Sequence, residues 1–379
     1  MKAGICCFAW DFEGEGVEQV MGWAKESGLS YLAYAGTYHA GWFLHPHNPN
    51  RARMTSSALY FQPQRELYSA IQPLVAPICE KTDWMREVGS RLDRFDLKLY
   101  SWTIGTHNTA LGLLHPDLCV QNAFGDVYPH ALCPAHPDVR HYLLALCRDL
   151  SHNLPVSALV LESFGFEGWK HGHHHERDLT GLTSIESRLM DICFHSATLA
   201  NAARAGIDGE EVRRGVQLLL ESACDAAPSR GANHPKTWDE VVARVPQLVA
   251  YLEANRATEE AIVHEIHAIC AARGVEVHPY AGPRAQTIDD FDAVHAWGHG
   301  ASALEVLSRV REAKKQWPGK KVCIDLRIAP VGGVQSAAQL RDVVLAAREG
   351  GGDELHFYNY SEAPRTALSW LAGALKEIR

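Results

Sequence analysis

Short runs of apolar, β-prone residues alternate with longer amphipathic stretches along almost the whole chain, the pattern left by parallel β/α architecture. The first run spans residues 4–9 and is followed over 16–28 by Val17, Val20, Met21, Trp23 and Ala24 on one helical stripe, closed by Gly28. Further strands are predicted at 29–34, 97–103, 156–161, 275–280, 293–297, 321–328 and 354–360. Helices are predicted at 83–95, 138–150, 304–317, 336–349 and 365–378, and a long helical tract runs from 183 to 274. Eight strands, nearly all followed by helix, predict an α/β (β/α)8 barrel. The whole chain, 1–379, reads as a single barrel domain with a helical elaboration at about 183–256, between strands four and five. No GxGxxG opens the first helix, which argues against a doubly wound dinucleotide-binding sheet. The long irregular segments 36–80, 105–136 and 163–182 all follow the carboxyl ends of strands, where a barrel builds its site.

Strand ends therefore hold the candidate chemistry. The fourth strand runs Ala158-Leu159-Val160-Leu161-Glu162, an apolar run delivering one carboxylate to a rim, and Glu is rarely placed there without a pairing or chemical reason. Asp325 stands on strand seven, roughly opposite across the barrel mouth. A pair of carboxylates is what glycosidic-bond hydrolysis requires, one to protonate the leaving oxygen and one to attack or to activate water. Trp10, Trp102 and Trp297 at strand ends are candidate sugar platforms, and His39, His107, Asn108, His278, Arg327 and Tyr358 are candidate substrate-orienting groups. A structural ion pair between Asp325 and Arg327 is the plain alternative for that strand, and Arg327 or Lys170 could equally hold Glu162.

His, Asp and Glu at strand ends also hold divalent metals, so a metal-dependent sugar isomerase, epimerase or aldolase using Glu162, His278 and Asp325 is the second reading. A non-catalytic sugar-binding barrel is the third. The run His171, His173, His174, His175, Glu176 cannot give three ligands to one ion in regular structure, because neighbouring side chains diverge, and it reads as a substrate lid. No residue is assigned to a metal on sequence alone and no cofactor is expected, although a divalent metal is compatible.

Composition narrows the partners. A formal charge of -9 argues against nucleic acid and against an anionic membrane and leaves a small neutral or cationic ligand; with the strand-end groups above, a small carbohydrate is the expected partner, with self-association compatible. The ten cysteines are scattered, with no CxxC pair. The apolar N-terminus is too short for a signal peptide and lacks a cleavage pattern, so free buried thiols in a cytoplasmic protein are expected. Cys6, Cys7 and Cys323 read as strand packing.

The block Leu132-Cys133-Pro134-Ala135-His136-Pro137-Asp138-Val139-Arg140-His141-Tyr142-Leu143, followed by Val156-Ser157-Ala158-Leu159-Val160-Leu161-Glu162, resembles a family of bacterial (β/α)8 glycoside hydrolases. In that family a "CP-x-x-P-x-VR-x-YL" helix precedes a fourth strand ending in an acidic residue. The resemblance covers residues 97–166 and implies that Glu162 is the acid/base and Asp325 the second carboxylate, where many relatives carry Glu. The family's "CFC-x-x-C" segment is reduced here to Cys193-Phe194-His195, a departure that argues against a thiolate metal site at that point.

Overall fold

The computed structural model describes residues 1–171, 180–226, 234–280 and 290–378. Eight parallel strands form one sheet: β1 (Lys2–Cys7), β2 (Tyr31–Ala35), β3 (Lys98–Ile104), β4 (Ala158–Glu162), β5 (Glu276–Pro279), β6 (Ala293–Trp297), β7 (Lys321–Arg327) and β8 (Glu354–Tyr358). Their order is β5-β4-β3-β2-β1-β8-β7-β6, a barrel whose seam lies between β5 and β6. Asp292 nearly closes the seam. Its N–H donates to the Val277 carbonyl at 2.9 Å, and its carboxylate accepts from the Val277 N–H at 2.8 Å.

The outer helices include α1 (Val17–Ser27), α2 (Pro137–Asn153), α3 (Leu248–Ala271), α4 (Ala303–Gln316), α5 (Ala337–Glu349) and α6 (Arg365–Lys376). Each turns an apolar stripe to the sheet, as Leu340, Val343, Val344 and Ala347 do on α5. Between β4 and β5, shorter helices gather around a second apolar cluster that includes Leu189, Phe194, Val216, Leu220 and Tyr251. Helix α3 belongs to both cores: Leu248 and Tyr251 face the second cluster, while Ile262, Ile266 and Cys270 lie in the barrel core. Among the described residues no helix is long and apolar enough to cross a membrane.

Two predicted elements differ in detail. The first strand ends at Cys7, because the Phe8 N–H donates to the Asp11 carboxylate at 2.8 Å and starts a helix over Ala9–Glu15. The predicted helix 83–95 breaks into Trp84–Gly89 and Leu92–Phe95. The long segments after β2 and β3 fold into small antiparallel pairs, Gly41–Leu44 with Ala52–Thr55, Thr37–Tyr38 with Ala58–Leu59, and Cys119–Gln121 with Val127–Leu132.

The barrel interior is unusually polar. Tyr31 donates to the Leu355 carbonyl at 3.0 Å and stacks on Tyr100 at 4.0 Å between ring centres. The Tyr100 hydroxyl lies 3.3 Å from the buried Glu354 carboxylate, and the Cys6 thiol lies 2.9 Å from His356 Nε2. Room for the Tyr31 ring comes from Gly4, where a Cβ would stand 2.1 Å from it. Gly4→Ala is therefore expected to destabilise the fold by about 1–3 kcal/mol through overpacking. A drop in the denaturation midpoint checks this, and an unchanged midpoint would show that the ring can move aside.

Candidate active site

Glu162 ends β4, and its direction is set by the backbone just beyond. Gly105 and Thr106 donate their N–H groups to the carbonyls of Glu162 (2.9 Å) and Ser163 (2.6 Å), and the Thr106 hydroxyl also donates to Ser163 at 2.8 Å. Ser163 is held at φ 56, an uncommon left-handed conformation for a residue that is not glycine. A side chain at 105 would meet the Ser163 carbonyl at 2.8 Å, which is why glycine stands there.

Within this turn the Trp102 indole N–H donates to Glu162 Oε2 at 2.6 Å. Burial pushes the Glu162 carboxyl up to about 7; the Trp102 hydrogen bond opposes that shift, and the neighbouring charges of Glu167 and Asp325 add to it. Asp325 lies in the floor of the mouth and is 1% exposed. His295, one strand over, lies with Nδ1 2.8 Å from Asp325 Oδ1. A carboxylate in this contact accepts, so the Nδ1 proton is donated to Asp325. Among the described residues Asp325 Oδ2 and His295 Nε2 have no hydrogen-bond partner.

Aromatic rings surround these carboxylates. Trp102 meets Tyr38 and Tyr358 edge-on at 5.3 and 5.5 Å between ring centres, and Tyr280 lies 5.5 Å from the His295 ring. Trp297, 51% exposed, packs on His299 at 4.1 Å, while the Arg327 guanidinium lies over Tyr358 at 5.4 Å. On the opposite rim His39 stacks on His107 at 4.8 Å, and His171 Nε2 lies 2.9 Å from His107 Nδ1. Burial first, and then the neighbouring imidazoles His171, His39 and His130, hold His107 down to about 2. His171 also faces Glu167 at 3.4 Å.

The structure thus brings Glu162, Asp325, Trp102, Trp297, Arg327, Tyr358, His39 and His107 to one end of the barrel, and three predicted residues lie otherwise. Trp10 is 1% exposed: Phe8 and Phe43 lie against its ring at 4.4 and 5.2 Å, and its indole donates to Ser361 at 2.7 Å, so it offers no platform. Asn108 caps a helix, accepting from the Leu111 N–H at 3.0 Å. His278 is fully buried inside the barrel, 3.0 Å from Glu276, because its odd–even position on β5 points inward below the mouth.

None of the three alternative ion pairs forms among the described residues: Asp325 pairs with His295, and Glu162 accepts from Trp102. The ligand set Glu162, His278 and Asp325 is also not what the fold assembles. Among the described residues the group of three potential metal ligands is His295, Cys323 and Asp325, with ligand atoms all within 4.8 Å of one another. Residues 173–176 of the histidine run lie outside the described residues. Sequence reasoning overlooked Glu167 and His299; both stand in loops just past strands four and six, the positional signal already used for their neighbours.

No family model matches the sequence, and no curated protein matches it. The fold is similar to that of a β-galactosidase from the psychrophilic Marinomonas ef1, at TM-score 0.57 and 10% identity, covering 100% of this chain and 59% of that one. It is also similar to the PgaB (BpsB) glycoside hydrolase domain from Bordetella bronchiseptica, at TM-score 0.55 and 12% identity, covering 99% and 97%. A third similar structure is an exo-β-N-acetylglucosaminidase from Vibrio harveyi, at TM-score 0.51 and 10% identity, covering 98% and 53%. This chain therefore spans little more than half of the first and third of these proteins. At such identities the likeness establishes the barrel fold alone.

Proposed function

We propose that the protein hydrolyses a glycosidic bond, with Glu162 as general acid/base and Asp325 as the second carboxylate. The observation that carries this reading is Glu162 itself, a strand-end carboxyl pushed up to about 7, anchored by Trp102 and facing other carboxylates in an aromatic mouth. A carboxyl near 7 is still partly protonated at neutral pH, as a general acid must be. Because the indole N–H occupies Oε2, the proton sits on Oε1, free to be given to a leaving oxygen. Asp325, accepting from His295, supplies negative charge opposite a developing oxocarbenium centre. Trp297 offers an exposed ring for a sugar face, and His39, His107, Arg327 and Tyr358 are placed to orient hydroxyls. The β-galactosidase, the PgaB glycoside hydrolase domain and the exo-β-N-acetylglucosaminidase support the reading through the fold they share with this chain.

The test is turnover of a panel of aryl glycosides as a function of pH. The acid works only while protonated, so kcat/KM is expected to fall as pH rises through about 7, the value to which Glu162 is pushed. A flat profile across that point, with measurable turnover, would remove Glu162 as the acid.

A further inference from the structure

Around Asp325 the barrel holds a group that the proposed reaction does not use as a whole. Cys323 and Asp325 lie two residues apart on β7, hence on the same inward face, and His295 stands beside them on β6, paired with Cys323 in the strand register. Each offers one ligand atom, and the three atoms lie within 4.8 Å of one another. Three ligands at zinc-like bond lengths around one ion stand roughly 3.3–3.8 Å apart, so closure on an ion needs only small side-chain movements.

Two further observations point into the group. His295 Nε2 and Asp325 Oδ2 are buried without hydrogen-bond partners among the described residues, and buried polar atoms are normally satisfied. The surroundings add His356, its ring 5.2 Å from that of His295, and His278 at 5.8 Å.

We infer that His295, Cys323 and Asp325 form a binding site for a zinc-class divalent cation in the floor of the barrel mouth. One thiolate, one imidazole and one carboxylate select a borderline-soft ion such as Zn2+ or Co2+ over Mg2+ or Ca2+, which prefer all-oxygen shells. On binding, Cys323 gives up its thiol proton to solvent, and the fourth coordination position is left for a further group. The inference shares Asp325 with the proposed hydrolysis but does not rest on that reaction. A bound ion occupies the second carboxylate, so the zinc-loaded protein is inactive toward glycosides.

The test is titration of the chelator-treated full-length protein with Co2+, free of oxygen and under a reductant that does not bind metal, read by absorbance. One equivalent is expected to give the intense visible bands of a four-coordinate site and a near-ultraviolet thiolate-to-cobalt charge-transfer band, all displaced by one equivalent of Zn2+. Cys323→Ser removes the charge-transfer band, whereas Cys224→Ser, at an exposed cysteine, keeps it. Should the serine variant fail to fold by circular dichroism, His295→Gln retains the thiol and is expected to weaken cobalt binding by at least about tenfold. No uptake would overturn the inference, as would a weak six-coordinate spectrum that survives Cys323→Ser, which places the ion outside this group. Because metal uptake is measured without a glycoside, its failure leaves the Glu162 assignment standing, and absence of glycoside turnover leaves the metal result standing.

Discussion

Glu162→Gln is expected to lower kcat on glycosides by about 10²–10⁴-fold, the usual contribution of a positioned proton donor. The amide preserves the acceptor for the Trp102 indole, so the turn at Gly105 and Ser163 should survive unchanged. The same substitution should also stabilise the protein in alkaline solution. The folded-state carboxyl is raised from the ordinary 4.5 to about 7, so folding favours the neutral form. Wild-type stability from this group is complete at low pH, declines as pH rises from about 4.5 to about 7, and is lost above that. The loss is at most about 3 kcal/mol and is reduced by the partial exposure of the side chain. Gln does not ionise, so the variant should unfold at higher denaturant than wild type at pH 8, with the advantage vanishing near pH 4. A variant that loses activity and also loses stability at pH 8 would mean that Glu162 is a structural anchor rather than a strained catalytic acid. Stability withheld by a working group is the usual trade at active sites.

Asp325→Asn is expected to lower kcat/KM by about 10²–10³-fold, the cost of removing one aligned electrostatic partner of the transition state. The fold should persist, since the Asn carbonyl can still accept from His295 Nδ1. Asp325→Ala behaves differently: it strands the buried His295 N–H and should cost about 1–3 kcal/mol of stability in addition to activity. Azide should restore part of the lost turnover of the Ala variant by filling the space of the missing carboxylate, and Asn should respond less because that space stays occupied. Full activity in Asp325→Asn would exclude the residue as the second carboxylate and turn attention to Glu167, whose charge acts most strongly on Glu162.

Much of the scaffold was legible because it is written in local periodicity. Alternating strand and helix patterns located all eight barrel strands to within a few residues, and an apolar run ending in Glu162 marked the strand that delivers the central carboxyl. Each failure has its own physical cause. Trp10 reads from sequence as a strand-end platform, but a hydrogen bond from Phe8 to Asp11 turns the chain into a helix and buries the ring. Asn108 reads as a sugar ligand, although its place before Thr109–Leu114 is an equally good helix cap and the structure uses it so. His278 reads as a mouth residue from its place near a strand end, whereas strand alternation turns it into the interior.

What the sequence by itself determined, then, is the repeating unit and the rim residues that each unit carries, because 3.6-residue and two-residue periods are properties of neighbouring positions. What only the tertiary structure decided is which of those residues meet. The pairing of β6 with β7 sets His295 against Asp325 and beside Cys323 across 30 and 28 residues of chain, through a register that no local pattern encodes. The same holds for Glu162, whose carboxyl is pushed up by burial and by the charges of Glu167 and Asp325, against the opposing hydrogen bond from Trp102. Sequence named the carboxyl, and the folded barrel gave it the buried surroundings on which the proposed acid role rests.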